Sequence, residues 1–258
     1  MKKVEGWWLP DEDQHIEEKL KEDTRMNRGS NFQTEQRDYS LAVAAKFSKR
    51  RRTAIDIGGH VGLWSVDLCD FFNGAIIFEP VPQFRDCLIK NLKEKVDKKN
   101  YTIMPFALGN KPGAHQEIKL KLGEGNTGDT HIAEDGEVTA EIKRLDNFGF
   151  KEIDYIKIDA EGYELEILKG AEWTLVENKP MIVVEIKDKH FQRYGVEFRD
   201  CKKHLEDRGY VLENVINSEA IFVHSLQEVR KFMDQKEWAL KHPDRVGKKK
   251  PRGGWPKE

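Results

Sequence analysis

The chain has 258 residues, 38% of them hydrophobic and 35% charged, with a formal net charge of −2. That length suits one large α/β domain with appendages. The near-neutral charge gives no electrostatic case for a nucleic-acid partner, and no apolar run approaches the roughly 20 residues of a membrane span. Charge is unevenly spread, because residues 241–258 carry seven Lys/Arg against two acids, +5, which leaves −7 for the rest. Three cysteines, Cys69, Cys87 and Cys201, are odd in number and far apart. They predict free thiols in a reduced, cytoplasmic compartment, with neither disulfide nor zinc spacing. The N-terminus lacks the long apolar core of a signal peptide.

Trp7-Trp8-Leu9-Pro10 precede a highly charged stretch in which Ile16 and Leu20 are spaced for a short amphipathic helix. The Trp pair is expected to pack on the main domain. Thr34 caps a predicted helix running to about Lys49, with Tyr39, Val43 and Phe47 on one stripe. Arg50-Arg51-Arg52 then sit where cations favour the helix dipole. Residues 1–52 therefore read as an N-terminal helical extension or flap.

Thr53 to Ile57 form a short β-type run carrying Asp56 near its end, and Gly58, Gly59 and Gly62 break it before Leu63-Trp64-Ser65-Val66 open a helix. A strand feeding a glycine turn and then a helix is how a Rossmann-type sheet receives a nucleotide-containing ligand. The pattern Asp-x-Gly-Gly-x-x-Gly differs from the dinucleotide fingerprint. An acid aimed into the pocket suits a cationic or zwitterionic ligand, a description that S-adenosylmethionine fits; an ordinary strand-to-helix turn is the alternative.

Ala75 to Pro80 is a second strand ending in Glu79, and the helix after it carries Phe84, Leu88 and Leu92 at four-residue steps. Tyr101 to Ala107 is a third strand, interrupted by Pro105. From about 111 to 145 two alternating stretches flank the Gly/Asp/Asn-rich loop 123–136, which predicts an inserted β-hairpin. Tyr155 to Asp159 is strand four, followed by Ala160-Glu161-Gly162 and a predicted helix from Tyr163 to Glu177 with Leu165, Leu168, Trp173, Leu175 and Val176 inward. Met181 to Glu185 is continuously apolar until its last residue, as a strand buried on both faces reads. A helix from Phe198 to Arg208 ends at Gly209, and strands Tyr210–Ile216 and Ala220–His224 are joined by Asn217-Ser218-Glu219. So tight a link makes that pair antiparallel. Leu226 to Leu240 reads as a terminal helix and residues 242–258 as a basic, disordered tail. The whole predicts an α/β fold with a mostly parallel seven-stranded sheet, a terminal antiparallel hairpin and a domain spanning 53–241, the architecture of class I methyltransferases.

In such sheets the ligand lies outside the carboxyl ends of the strands. Asp56, Glu79, Asp159 and Glu185 close strands one, two, four and five and are expected along that edge. Glu79, at the tip of strand two, is placed to take ribose hydroxyls, or else to cap the helix after Pro80. Asp159 and Glu161 are candidate catalytic bases, since a carboxylate within reach of an alcohol removes its proton. They have a plainer alternative, ordering the loop and capping the next helix. Asp159, Glu161 and Glu185 permit either a base-only mechanism or a divalent ion; the base-only reading, with no metal, is the expectation, and His190 alone makes no zinc set.

Asp56-Ile-Gly-Gly-His-Val-Gly62, Phe78-Glu-Pro80, Ala107-Leu-Gly-Asn110, Arg144-Leu-Asp-Asn-Phe148 and Ile156-Lys-Ile-Asp-Ala-Glu-Gly162 with Leu168-Lys-Gly-Ala171 resemble the FkbM family of S-adenosylmethionine-dependent methyltransferases. The resemblance covers roughly residues 53–224. It implies a Rossmann-like fold and O-methylation of hydroxyls on a sugar, glycan or related small molecule; the lack of an apolar span predicts no membrane partner. By position, Asp56, Gly58, Gly59 and Gly62 would line the methionine end of the cofactor. Glu79 with Pro80 would hold the ribose, Ala107 would lie by the adenine, and Asp159 and Glu161 would face the acceptor. The family's loop often has Ala-Asn where this chain has Gly59-His60, so His60 either touches the cofactor's carboxylate or replaces a turn-forming Asn. Two other readings stand beside this one. A ribose 2′-O-methyltransferase of RNA would use Asp159, Lys187 and Glu213 with an early lysine such as Lys46, and an idle binding module would keep the fold alone.

Overall fold

The computed structural model describes residues 1–26, 33–47, 50–98, 100–111, 113 and 115–226. The expected terminal helix, apart from its first residue, and the basic tail lie outside the described residues. The chain opens with a two-stranded hairpin, β1 (Lys2–Val4) and β2 (Trp7–Leu9), followed by α1 (His15–Arg25) and α2 (Thr34–Phe47). The N-terminal extension is thus not purely helical: Trp7 and Leu9 are buried and make the hairpin an anchor. They join Ile16 and Leu20 of α1 in a cluster with Val61, Leu63 and Cys87 of the main domain.

β3 (Thr53–Ile57), α3 (Ser65–Phe71), β4 (Gly74–Phe78), α4 (Pro82–Lys95) and β5 (Tyr101–Met104) build the first half of the central sheet. The strand expected through Ala107 splits at Pro105, which has no N–H to give to a ladder. Its end, β6 (Ala107–Leu108), leaves for a second sheet with β7 (Gln116–Lys121), β8 (His131–Ile132) and β9 (Val138–Lys143). That sheet has the order β6-β9-β7-β8: the expected hairpin is the antiparallel pair of β7 and β9, and β6 and β8 flank it. Ile118, Leu120, Ala140 and Ile142 give it an apolar face against Val81, Phe84 and Ala107.

β10 (Ile153–Ile158), α5 (Glu164–Lys169), α6 (Glu172–Asn178), β11 (Met181–Glu185), α7 (Asp188–Phe191), α8 (Phe198–Glu206), β12 (Tyr210–Ile216) and β13 (Glu219–His224) complete the domain. The seven strands have the order β12-β13-β11-β10-β3-β4-β5, with β13 antiparallel to both neighbours. The sheet is mostly parallel with one reversed strand, as the sequence predicts, and it is the class I methyltransferase arrangement. The single helix expected from Tyr163 to Glu177 breaks at Gly170, where a Cβ would lie 2.1 Å from the Gly109 carbonyl oxygen. After the break, Trp173 and Val176 face outward, 39% and 52% exposed. The terminal hairpin turns on Asn217 and Ser218 alone, and Glu219 belongs to β13.

Alternation sorts the core. Ile55, Ile57, Ile156, Ile158, Ile182 and Val184 face α5, α6 and α8, while Ala54, Tyr155, Met181 and Val183 face α2 and α3. The second face also receives Lys157, opposite Asp56 in the register of β10 and β3. The arginine triplet serves the fold: Arg52 grips Asp154 at 2.6 Å, and Arg51 lies over the Phe71 ring at 4.0 Å.

Candidate active site

The Gly58 and Gly59 amides each donate to the Phe78 carbonyl at 3.0 Å, folding the end of β3 over the end of β4. Gly58 has φ +84°, and a Cβ there would fall 1.9 Å from the Asp159 carbonyl oxygen. Only glycine lets this loop close against the end of β10. Gly59 is similarly tight, its missing Cβ lying 2.4 Å from the Ile77 side chain.

A cavity opens at this edge. It is lined by Gly58, Gly59, His60, Glu79, Pro80 and Ala107 on one side and by Asp159, Glu161, Glu185 and Lys187 on the other. Asp56 and Gly62 are not in its wall. Alternation turns Asp56 toward α3, where the Ser65 hydroxyl donates to its carboxylate at 2.5 Å, and burial pushes the acid up to about 6. Asp56 therefore shapes the loop from beneath. Gly62 sits behind it, where a Cβ would meet Leu88.

Glu79 lines the cavity and also holds the turn that leads into α4, whose N-terminus it does not cap. One oxygen accepts the Val81 amide and the other the His60 amide, both at 2.8 Å. Burial, opposed by those two bonds, pushes the acid up to about 7. Each oxygen keeps one acceptor position for a ligand hydroxyl.

At the opposite end, Asp159, Glu161 and Glu185 bring carboxylate oxygens within 4.8 Å of one another. Burial and the neighbouring Glu185 raise Asp159, against the pull of Lys157. Glu161 has φ +53° and its carboxylate meets His190 Nδ1 at 2.5 Å. Burial pushes Glu161 up to about 7 despite that partner. His190 is 2% exposed; its burial is overcome by Glu161 and Glu185, which hold it up at about 9. Glu185 is also pushed up by burial, but the His190 contact and the charges of Lys157 and Lys187 hold it down to about 2. Glu161 does not cap the next helix. Glu164 holds the loop instead, accepting the Ala160 amide at 2.9 Å and the Gly162 amide at 3.2 Å.

The family described as the methyltransferase FkbM domain matches residues 56–212. The chain belongs to the FkbM methyltransferase family. Methyltransferase sdnD of Sordaria araneosa is 29% identical over 196 residues, covering 60% of this chain and 72% of that protein. The crystal structure of methyltransferase FkbM from Methylobacillus flagellatus KT superposes with a TM-score of 0.50 at 17% identity, covering 67% of this chain. This chain spans only 43% of that solved protein.

Within the FkbM frame, sequence reasoning missed two residues of the site. Lys157, 1% exposed, sits between Asp159 and Glu219 at 3.3 Å from each, over the Trp64 ring at 4.9 Å. Glu219, fully buried at the start of β13, is pushed up to about 8 by burial while Lys157 pulls against it. The signal for Lys157 was available: a lysine inside Tyr155-Ile-Lys-Ile158, a strand apolar on both faces, needs an acidic partner. The four residues weighed for an RNA ribose methyltransferase do not converge. Asp159 and Lys187 share the cavity, but Lys46 is exposed on α2 and Glu213 lies on the edge strand β12.

Proposed function

We propose that this FkbM methyltransferase binds S-adenosylmethionine at the glycine loop and methylates a hydroxyl of a sugar, glycan or related small molecule. The observation that carries the reading is the meeting of Asp159, Glu161 and Glu185 at the sheet edge beside Gly58. The cavity's residues fit the cofactor. Glu79 has acceptor capacity for ribose hydroxyls, Ala107 and Phe84 offer apolar surface to a base, and the carboxylates favour a cationic sulfonium. When bound, the cofactor supplies the methyl group, which leaves sulfur as the new O–CH₃ bond forms. One carboxylate of the Asp159–Glu161 pair takes the acceptor's proton, freeing the oxygen lone pair to attack the methyl carbon. The three cysteines are buried free thiols, which supports a cytoplasmic setting. Among the described residues no helix is long and apolar enough to cross a membrane.

The test is a panel of hydroxylated sugars, glycans and RNA with radiolabelled methyl donor. Label is expected in a small hydroxylated acceptor; label in RNA alone would overturn the acceptor class. Asp159→Asn is expected to keep cofactor affinity while turnover falls about 10²- to 10⁴-fold, the usual worth of a general base. The rate should be indifferent to chelator, because Lys157, Lys187 and His190 already neutralise the carboxylates. Activity abolished by EDTA and restored by Mg²⁺ would replace the base with a metal. The pH profile has a definite sign. Glu161 accepts a proton only when ionised, so activity should rise with pH through about 7. It should fall again above about 9, where His190 loses the charge that partners Glu161.

A further inference from the structure

We propose that the N-terminal segment, which precedes the matched family region, is a cofactor-binding element. His15 and Ile16 wall the cavity, and a hydrogen-bond chain from Asp13 through Thr127 to His60 holds that wall over the bound cofactor. The proposal rests on the S-adenosylmethionine reading above.

His15 and Ile16 line the same cavity as His60 and Glu79, although the family match begins at residue 56. Asp13, fully buried, is the joint. One of its oxygens accepts the Ile16 amide at 2.7 Å and starts α1. The other accepts the Thr127 amide at 3.1 Å and the Thr127 hydroxyl. Beside it, the Gln14 and His15 amides donate to the Gly125 carbonyl at 2.9 and 3.0 Å. The start of α1 is thereby stapled to the insertion, and the insertion is stapled in turn to the glycine loop, because Thr127 Oγ1 meets His60 Nε2 at 2.8 Å.

The chain of bonds has one direction. A carboxylate only accepts, so the single Thr127 hydroxyl proton goes to Asp13, and His60 Nε2 must donate to Thr127. Burial, against the charge of Asp13, pushes His60 down to about 4, so the ring is neutral near pH 7 and its proton sits on Nε2. The His60 amide in turn donates to Glu79. One path of hydrogen bonds therefore runs from the acid proposed for the ribose to the start of α1. Opening the wall would leave the buried Asp13 carboxylate short of donors, so the closed form is favoured. α1 has an anchor besides this chain: Leu20 packs with Trp7, Leu9 and Val61, so cutting the chain at Thr127 leaves that anchor in place.

Thr127→Val removes the hydroxyl at nearly constant volume, His60→Asn keeps a residue tolerant of φ +47° while withdrawing the ring, and Thr127→Ser restores the hydroxyl. Stopped-flow dissociation of S-adenosylmethionine and S-adenosylhomocysteine, with hydrogen exchange of α1, reads the effect. Thr127→Val and His60→Asn should release both ligands about tenfold faster, the worth of about one buried hydrogen bond. Thr127→Ser should match wild type. The α1 amides should exchange more slowly on adding S-adenosylmethionine to wild type, but not to Thr127→Val. A wild-type dissociation rate in Thr127→Val, or α1 exchange in wild type indifferent to the ligand, overturns the proposal. Wild type that binds neither ligand overturns the cofactor reading itself, and the proposal with it.

Discussion

Lys157→Met is expected to cost about 3 kcal/mol of stability at pH 7, the lower end of the cost of stripping one partner from a buried ion pair. Lys157 is 1% exposed and Glu219 fully buried, so removing the ammonium leaves an acid with no other ion-pair partner among the described residues. Glu219, pushed up to about 8, is already largely protonated at pH 7, which is why the lower figure applies. The pH dependence follows from linkage. A buried acid whose folded pKa is raised contributes stability below its unfolded value and loses it as pH climbs to the folded value. In wild type that loss stops near 8, because Lys157 stabilises the ionised form. In Lys157→Met it continues to higher pH. The gap between the two proteins should therefore widen between pH 7 and pH 9 in urea titrations, and Lys157→Met/Glu219→Gln should narrow it. A constant gap would mean that Lys157 and Glu219 are not coupled.

Gly58→Ala and Gly58→Val carry the second large effect. With φ +84° and a Cβ 1.9 Å from the Asp159 carbonyl oxygen, neither side chain fits without moving the end of β10. Strain of this kind costs about 1–3 kcal/mol from the backbone alone. The displaced groups are the glycine loop and the residue proposed as base. Both variants should lose cofactor binding in calorimetry, with a melting temperature lowered by several degrees in Gly58→Ala. Gly58→Ala with wild-type affinity would show that the contact between loop and β10 does not shape the site.

Much of this was legible in the sequence where one physical cause dominates. Strands β3, β4, β10 and β11 are short apolar runs, each closed by an acid or a glycine turn, and parallel order brings those ends to one edge. Glu79, Asp159, Glu161 and Glu185 therefore line one cavity at that edge. Asp56 was misdirected by the same logic: it precedes the last residue of β3, and alternation sends it toward α3 and Ser65. Glu219 was hidden because Asn217-Ser218-Glu219 has the composition of a turn, and only its pairing with Glu185 across β11 and β13 shows it to be a strand residue. In the second sheet the β7–β9 hairpin was legible, but β6 and β8, with two residues each, have too little period to read. The break between α5 and α6 depends on the Gly109 carbonyl pressing on Gly170, a contact between residues 61 positions apart that no local pattern records. The wall at His15 and Ile16 depends on Asp13 reaching Thr127, 114 positions away.

The central claim is that the edge between Glu79 and Asp159 is a cofactor site, and calorimetric titration of S-adenosylmethionine into the full chain tests it most directly. Saturable binding at one site per chain is expected, much weakened in Glu79→Ala, where the cavity loses the carboxylate that holds the His60 and Val81 amides. No heat of binding in wild type, or equal affinity in Glu79→Ala, would contradict the account.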